Sequence, residues 1–119
     1  MKVFLVEDAP LLRERLAALI ASVPGATTVG QATAAQEAIE AIRAAAPDAV
    51  VLDLHLHEGN GFDVLHVLRK EAPQIDVYVV TNFANDSYRQ VAARLGARGF
   101  FDKSTEFDKL REALATRTR

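Results

Sequence analysis

Five side chains of this sequence stand where short apolar runs stop. Val3, Phe4, Leu5 and Val6 run into Glu7 and Asp8, and Ala49, Val50, Val51 and Leu52 run into Asp53. Val77, Val79 and Val80 lead to Thr81, and the stretch from Gly99 to Asp102 is followed by Lys103. Taken singly, Thr81 reads as a turn residue, Lys103 as a solvated cation and Asp8 as a helix cap. Brought to one place, they make a reactive set. Crowded carboxylates repel, so some stay protonated unless a cation neutralises them. Magnesium is the natural candidate, a hard ion that takes oxygen ligands and shares its sphere with a phosphoryl group. The Lys103 ammonium then suits a phosphate oxygen as a point charge, and the Thr81 hydroxyl is a donor for another.

The elements around these residues decide whether they meet. Ala49 to Leu52 is short, β-branched and non-alternating, the pattern of a central parallel strand covered on both faces, with Asp53 at its carboxyl end. Lys2 to Glu7, Thr27 to Ala32, Ile75 to Thr81 and Gly99 to Asp102 read as four further strands. Between them lie five helical patterns. Pro10 opens the first, with Leu12, Leu16, Leu19 and Ile20 inward, and Pro24 with Gly25 closes it. Thr33 with Gln36 predicts a capping box for the second, whose apolar face is Ala35, Ala38, Ile39 and Ile42 before Pro47. Gly59 and Gly61 turn the chain into the third, with Phe62, Leu65 and Leu68 inward and Pro73 at its end. The fourth carries Tyr88, Val91, Ala92 and Leu95 up to Gly96. Ser104 or Thr105 is the expected cap of the fifth, with Phe107, Leu110 and Leu114 inward.

Strand and helix alternating five times implies an α/β fold of flavodoxin-like, doubly wound (βα)5 type, its parallel five-stranded sheet ordered 2-1-3-4-5. Residues 1–119 read as a single domain. In that order the first, third, fourth and fifth strands end side by side, which gathers Glu7, Asp8, Asp53, Thr81 and Lys103 on one rim, where open parallel sheets bind ligands.

Composition narrows the class. A chain of 119 residues, 50% hydrophobic and 25% charged, is long enough to bury a core without staples. With no cysteine, disulfides, thiolate zinc sites and cysteine nucleophiles are excluded. A formal net charge of -2 argues against direct nucleic-acid binding by this domain. The first apolar run is too short for a signal peptide and nothing approaches a membrane span, so the chain reads as cytoplasmic. His55, His57 and His66 do not form a helical i, i+4 pair, which disfavours a histidine metal site. Arg89, Arg94 and Arg98 read as a solvated face. The polar tail Thr116 to Arg119 reads as a terminus or a linker stub.

The acidic pair Glu7 and Asp8, Asp53, Thr81, Lys103 and an aromatic Phe100 three positions before the lysine resemble, in this order and spacing, the receiver domain of bacterial two-component response regulators. The likeness covers essentially the whole chain. It implies that Asp53 accepts a phosphoryl group from a phosphohistidine on a sensor histidine kinase or histidine phosphotransfer protein. It also implies Mg²⁺ held by Asp8, Asp53 and the main-chain carbonyl of His55, with Glu7 nearby. On this resemblance Thr81 and Phe100 form the switch: the hydroxyl moves toward the phosphoryl group and the aromatic ring follows, changing the face made by the fourth helix, fifth strand and fifth helix. Partners are then the kinase and a downstream protein or fused output domain, with homodimer formation left open. Such a domain is a signalling switch rather than an enzyme, catalysing only its own phosphoryl transfer and autodephosphorylation. No output module follows the fifth helix, so the expectation is either a stand-alone receiver or the receiver of a longer regulator.

Several positions depart from the commonest pattern of that family. His57 stands where proline is frequent, which suggests a looser loop. Ser104 replaces a frequent cis proline, and a non-proline cis bond costs about 2.5–4 kcal/mol, which counts against cis geometry there. Phe100 lacks a tyrosine hydroxyl, which lowers the cost of burying it and favours the inward state. Asn82 is larger than the usual small residue. His55 and Phe83 occupy positions that tune attack of water on the phosphoaspartate, and a bulky Phe83 is expected to slow it. Three rivals remain: a receiver that docks without phosphorylation, a flavodoxin-like cofactor binder, and an aspartate-based phosphatase. The second needs phosphate-cradling donors where Glu7, Asp8, Ala9 and Pro10 stand. The third needs a second acid where His55 stands.

Overall fold

The structure, a computed structural model, describes residues 1–118. Arg119, the end of the polar tail, lies outside the described residues. Strand and helix alternate as expected: β1 (Lys2–Val6), α1 (Pro10–Ala21), β2 (Thr27–Ala32), α2 (Ala35–Ala45), β3 (Ala49–Asp53), α3 (Gly61–Glu71), β4 (Asp76–Thr81), α4 (Asp86–Arg94), β5 (Gly99–Asp102) and α5 (Phe107–Thr118). The strands make one sheet in the order β2-β1-β3-β4-β5, every pairing parallel.

Two apolar cores clamp that sheet, because successive strand residues point to opposite faces. Phe4, Val6, Val50, Leu52, Val77 and Val79 pack with α2, α3 and Ala92 of α4. Val3, Leu5, Ala49, Val51, Tyr78 and Val80 pack with Leu16 and Ile20 of α1 and Leu110 and Leu114 of α5. All of β3 is buried, which is why its sequence does not alternate. Burying one such aliphatic side chain contributes roughly 1.5–3 kcal/mol, and β3 has apolar neighbours on both sides, so the position of Asp53 at its end is firmly set.

Several local expectations need correction. The second helix has no Thr33–Gln36 capping box: Ala34 is the N-cap, and the Glu37 carboxylate accepts from the Thr33 N–H at 2.8 Å. The fifth helix is not capped by Ser104 or Thr105. Its first hydrogen bond runs from the Leu110 N–H to the Glu106 carbonyl, and the Ser104 hydroxyl donates instead to the Asp102 carboxylate. Asp8 does not cap α1, whose N-cap is Ala9 with Pro10 just inside. Val91 of α4 is exposed rather than inward, and Leu12, Leu19 and Phe62 are half-buried. Thr116, Arg117 and Thr118 belong to α5, and Arg117 pairs with Asp76 at 2.6 Å, so the tail is helical as far as it is described.

Candidate phosphoacceptor site

Every predicted site residue except Phe100 lies at the carboxyl rim of the sheet. Asp53 is the last residue of β3 and Thr81 of β4, while Glu7 follows β1 and Lys103 follows β5. Glu7 and Thr81 are 0% exposed, Asp53 2% and Lys103 7%, while Asp8 is half-buried. The Lys103 ammonium sits 2.7 Å from Glu7 Oε1 and 3.0 Å from Asp53 Oδ2. Its own N–H donates to the Thr81 carbonyl at 3.0 Å, so lysine and threonine are tied through the backbone as well.

Local sequence places each group. Gly61 opens α3 directly under Asp53: its N–H donates to the Leu54 carbonyl at 2.9 Å, and a methyl at this position would collide with the Asp53 carbonyl and Leu54 Cα. Only glycine permits that approach. Asn60 caps the helix by accepting from the Asp63 N–H at 3.0 Å, and Asn85 caps α4 by accepting from the Tyr88 N–H at 2.8 Å. Arg13 of α1 reaches back over the β1–α1 loop and donates to the Glu7 carbonyl at 3.1 Å and the Asp8 carbonyl at 3.4 Å. Sequence reading missed Arg13, Gly61's contact and both asparagine caps; of these only the caps had a local signature, an Asn just before an apolar-periodic run.

The carboxylates are held by main-chain donors. Asp53 Oδ1 accepts from the His55 N–H at 3.1 Å, Asp8 Oδ2 from the His57 N–H at 2.8 Å, and Glu7 Oε2 from the Ala9 N–H at 3.1 Å. His57 thus donates where a proline could not, and the loop is tied to Asp8 rather than loose. The Thr81 oxygen accepts from the Phe83 N–H at 3.0 Å, which leaves its O–H free to donate. Among the described residues no peptide bond is cis, so the bond before Ser104 is trans.

Glu7, Asp8 and Asp53 each offer a carboxylate oxygen within 4.8 Å of the others. Burial pushes the Glu7 carboxyl above its ordinary value, the Asp53 charge adds to the rise, and the Lys103 ammonium works against it. Glu7 Oε1 is buried and, although Lys103 is close, no hydrogen bond of good direction reaches it. One ammonium facing three acids, with a lone pair left over, is a donor set suited to a hard, oxygen-seeking dication. The group opens into a cleft of about 290 Å³ lined also by His55, His57, Asn82 and Phe83.

An aromatic wall flanks the cleft. The His55 ring lies 4.3 Å from that of Phe83 and 5.6 Å from Tyr88, and Tyr88 meets Phe62 of α3 edge-on at 5.6 Å. Phe100 lies apart on β5, half-buried, beside Val79 of β4. The Arg89 guanidinium covers its ring at 4.7 Å, so Arg89 is not part of a purely solvated face.

Known proteins share this fold. The family model described as "Response regulator receiver domain" matches residues 3–115. The DNA-binding transcriptional activator DevR/DosR of Mycobacterium tuberculosis is 32% identical over 114 residues, covering 96% of this chain and 52% of that protein. The nitrate/nitrite response regulator protein NarL of Escherichia coli is 33% identical over 114 residues, with 94% and 52% covered. The chain therefore spans about half the length of these curated relatives. Among solved structures, a LuxR-family two-component response regulator from Aurantimonas superposes with a TM-score of 0.90 at 30% identity, covering 97% of this chain and 82% of that one. The response regulator domain of Thermotoga maritima CheB gives 0.86 at 27% identity, with 98% and 92% covered. A buried acid at the end of the central strand, a lysine bridging it to Glu7 and a family match over nearly the whole length lead to one assignment: this chain belongs to the response regulator receiver domain family.

Proposed function

We propose that Asp53 is the phosphoacceptor of a two-component signalling switch, receiving its phosphoryl group from a phosphohistidine on a sensor histidine kinase or histidine phosphotransfer protein. The observation that carries this reading is the Lys103 ammonium 3.0 Å from Asp53 Oδ2 at the floor of an open cleft. A carboxylate oxygen of Asp53 attacks phosphorus in line, the P–N bond breaks, and its electron pair stays with the imidazole. The product is a mixed anhydride on Asp53. Catalysis of such a transfer is positioning and charge neutralisation. Lys103 and the free Thr81 O–H serve the phosphoryl oxygens, while the His55 N–H fixes the Asp53 carboxylate. Glu7, Asp8, Asp53 and the His55 carbonyl would hold Mg²⁺, which supplies the remaining neutralisation of the equatorial oxygens.

The new group carries nearly two negative charges where there was one. It draws Thr81 inward, and Phe100 follows into the space released, which alters the α4–β5–α5 face read by a partner or a fused output domain. The His55–Phe83 wall screens the cleft from water, with Phe83 52% exposed above it. A domain of this family is a signalling switch rather than a classical enzyme. Net charge -2 supports protein partners rather than direct DNA contact. Among the described residues no helix is long and apolar enough to cross a membrane. A domain that takes its phosphoryl group from a sensor kinase would act in the cytoplasm.

The test is labelling by acetyl phosphate or a phosphorylated kinase. Wild type labels, EDTA abolishes the label, Mg²⁺ restores it, and Asp53→Asn stays blank; undiminished label on that variant overturns the assignment. A chase of the same label reads the wall: Phe83→Ala shortens the phosphoaspartate half-life several-fold, and an unchanged half-life removes Phe83 from water control.

A further inference from the structure

Residues 88 and 89 of α4 face two different ways. Tyr88 joins the aromatic wall through His55 and Phe83. Its neighbour Arg89 turns to β5, where one guanidinium nitrogen donates to the Phe100 carbonyl at 3.2 Å and the guanidinium carbon stands 4.7 Å over the Phe100 ring. Arg89 thus ties α4 to Phe100 of β5, across the surface expected to change on phosphorylation.

A cation over an aromatic face is attracted by the ring's negative quadrupole, and the interaction exists only while the ring stays at the surface under it. A tyrosine at position 100 would carry a hydroxyl into solvent to favour the outward state. Phenylalanine has no such anchor, and an apolar ring left to itself prefers burial. Here the ring is half-buried, packed against the core on one side and covered by the Arg89 guanidinium on the other. We propose that Arg89 is the latch that keeps Phe100 in this half-buried place, so that moving the ring further inward requires it to leave the guanidinium. Arg89 touches neither phosphate nor metal; it is a positioning residue acting through Phe100. The proposal rests on Asp53 being the phosphoacceptor and Phe100 the switch.

The latch sets the equilibrium between this half-buried position and a more deeply buried one. Losing an exposed cation–π contact of about 0.5–1 kcal/mol moves that equilibrium roughly two- to five-fold. Because a ligand's apparent affinity scales with the population of the competent state, it tightens by the same factor while the inward state is a minority.

The experiment uses beryllofluoride with Mg²⁺ as a non-transferable mimic of the phosphoryl group, and fluorophenylalanine labelling with the Phe100 line identified by its absence in Phe100→Leu. In wild type, saturation with the mimic moves the Phe100 fluorine line. In Arg89→Gln the line of the free protein already lies part-way to that position, and the mimic binds roughly two- to five-fold more tightly. Arg89→Lys keeps a cation without the planar fork and falls between the two. If Arg89→Gln leaves both the free line and the affinity unchanged while wild type takes up the mimic, the latch is wrong and the phosphoacceptor stands. If wild type takes up no mimic, both fall together.

Discussion

At the scale of single residues, Glu7 is the side chain whose state is most sensitive to its surroundings. Burial and the neighbouring Asp53 outweigh Lys103 and lift its carboxyl above the ordinary glutamate value of 4.5. The folded protein therefore holds this proton to higher pH than the unfolded chain does. Where the folded state binds more protons, stability falls as pH rises. The contribution of protonated Glu7 is complete below the unfolded value and is lost as pH climbs through the folded one. Glu7→Gln cannot lose a proton there. In EDTA, the melting temperature of that variant is expected to fall less than that of wild type between about pH 4.5 and pH 8, with the two curves converging at the acid end. Parallel curves across that window would mean that Glu7 is charged throughout. Asp102 and Glu71 are shifted the other way, by the Ser104 hydroxyl and by Arg43, so their contributions are lost only as pH falls and leave this comparison untouched.

At the scale of elements, the site depends on how closely α3 approaches the end of β3. Gly61 permits it, since any side chain would meet the Asp53 carbonyl and Leu54 backbone rather than a movable side-chain tip. Gly61→Ala must push the start of α3 away, a strain of about 1–3 kcal/mol by analogy with overpacked cores. The expected outcome is a denaturant midpoint lowered accordingly together with slower Asp53 labelling, because the displaced carbonyl belongs to the proposed phosphoacceptor itself. A variant of full stability and full labelling rate would show that the loop relaxes freely. Sequence reading placed Gly61 in a turn but could not see this contact, because the colliding atoms belong to the backbone of residues that any sequence would have. It did place all five strands and Asp53, since runs such as Ala49 to Leu52 report burial on both faces directly. Capping was less legible. Thr33 and Ser104 have the right chemistry in the wrong place, and Glu37 and Asp102 take the donors instead. Phe100 was legible as an aromatic before Lys103, whereas Arg89 was not: its ring contact joins two elements 11 residues apart in sequence and leaves no periodic trace.

For the whole molecule, the two apolar cores hold the sheet while the rim leaves three acids facing one buried ammonium. The fold therefore carries an electrostatic burden at one end that a bound dication would relieve. A ligand that binds only the native state stabilises it by RT ln(1 + [L]/Kd), about 2.7 kcal/mol at a hundredfold excess over Kd. For a domain of this size that corresponds to a rise in melting temperature of roughly ten degrees. Mg²⁺ is expected to produce such a rise, and Asp8→Asn to lose most of it, while sodium chloride at matched ionic strength produces little. Salt screens exposed charges well but buried ones poorly, and Glu7, Asp53 and Lys103 are all buried. An equal rise with sodium chloride would assign the effect to general screening of the net negative surface. A rise retained in Asp8→Asn would place the ion away from this cluster.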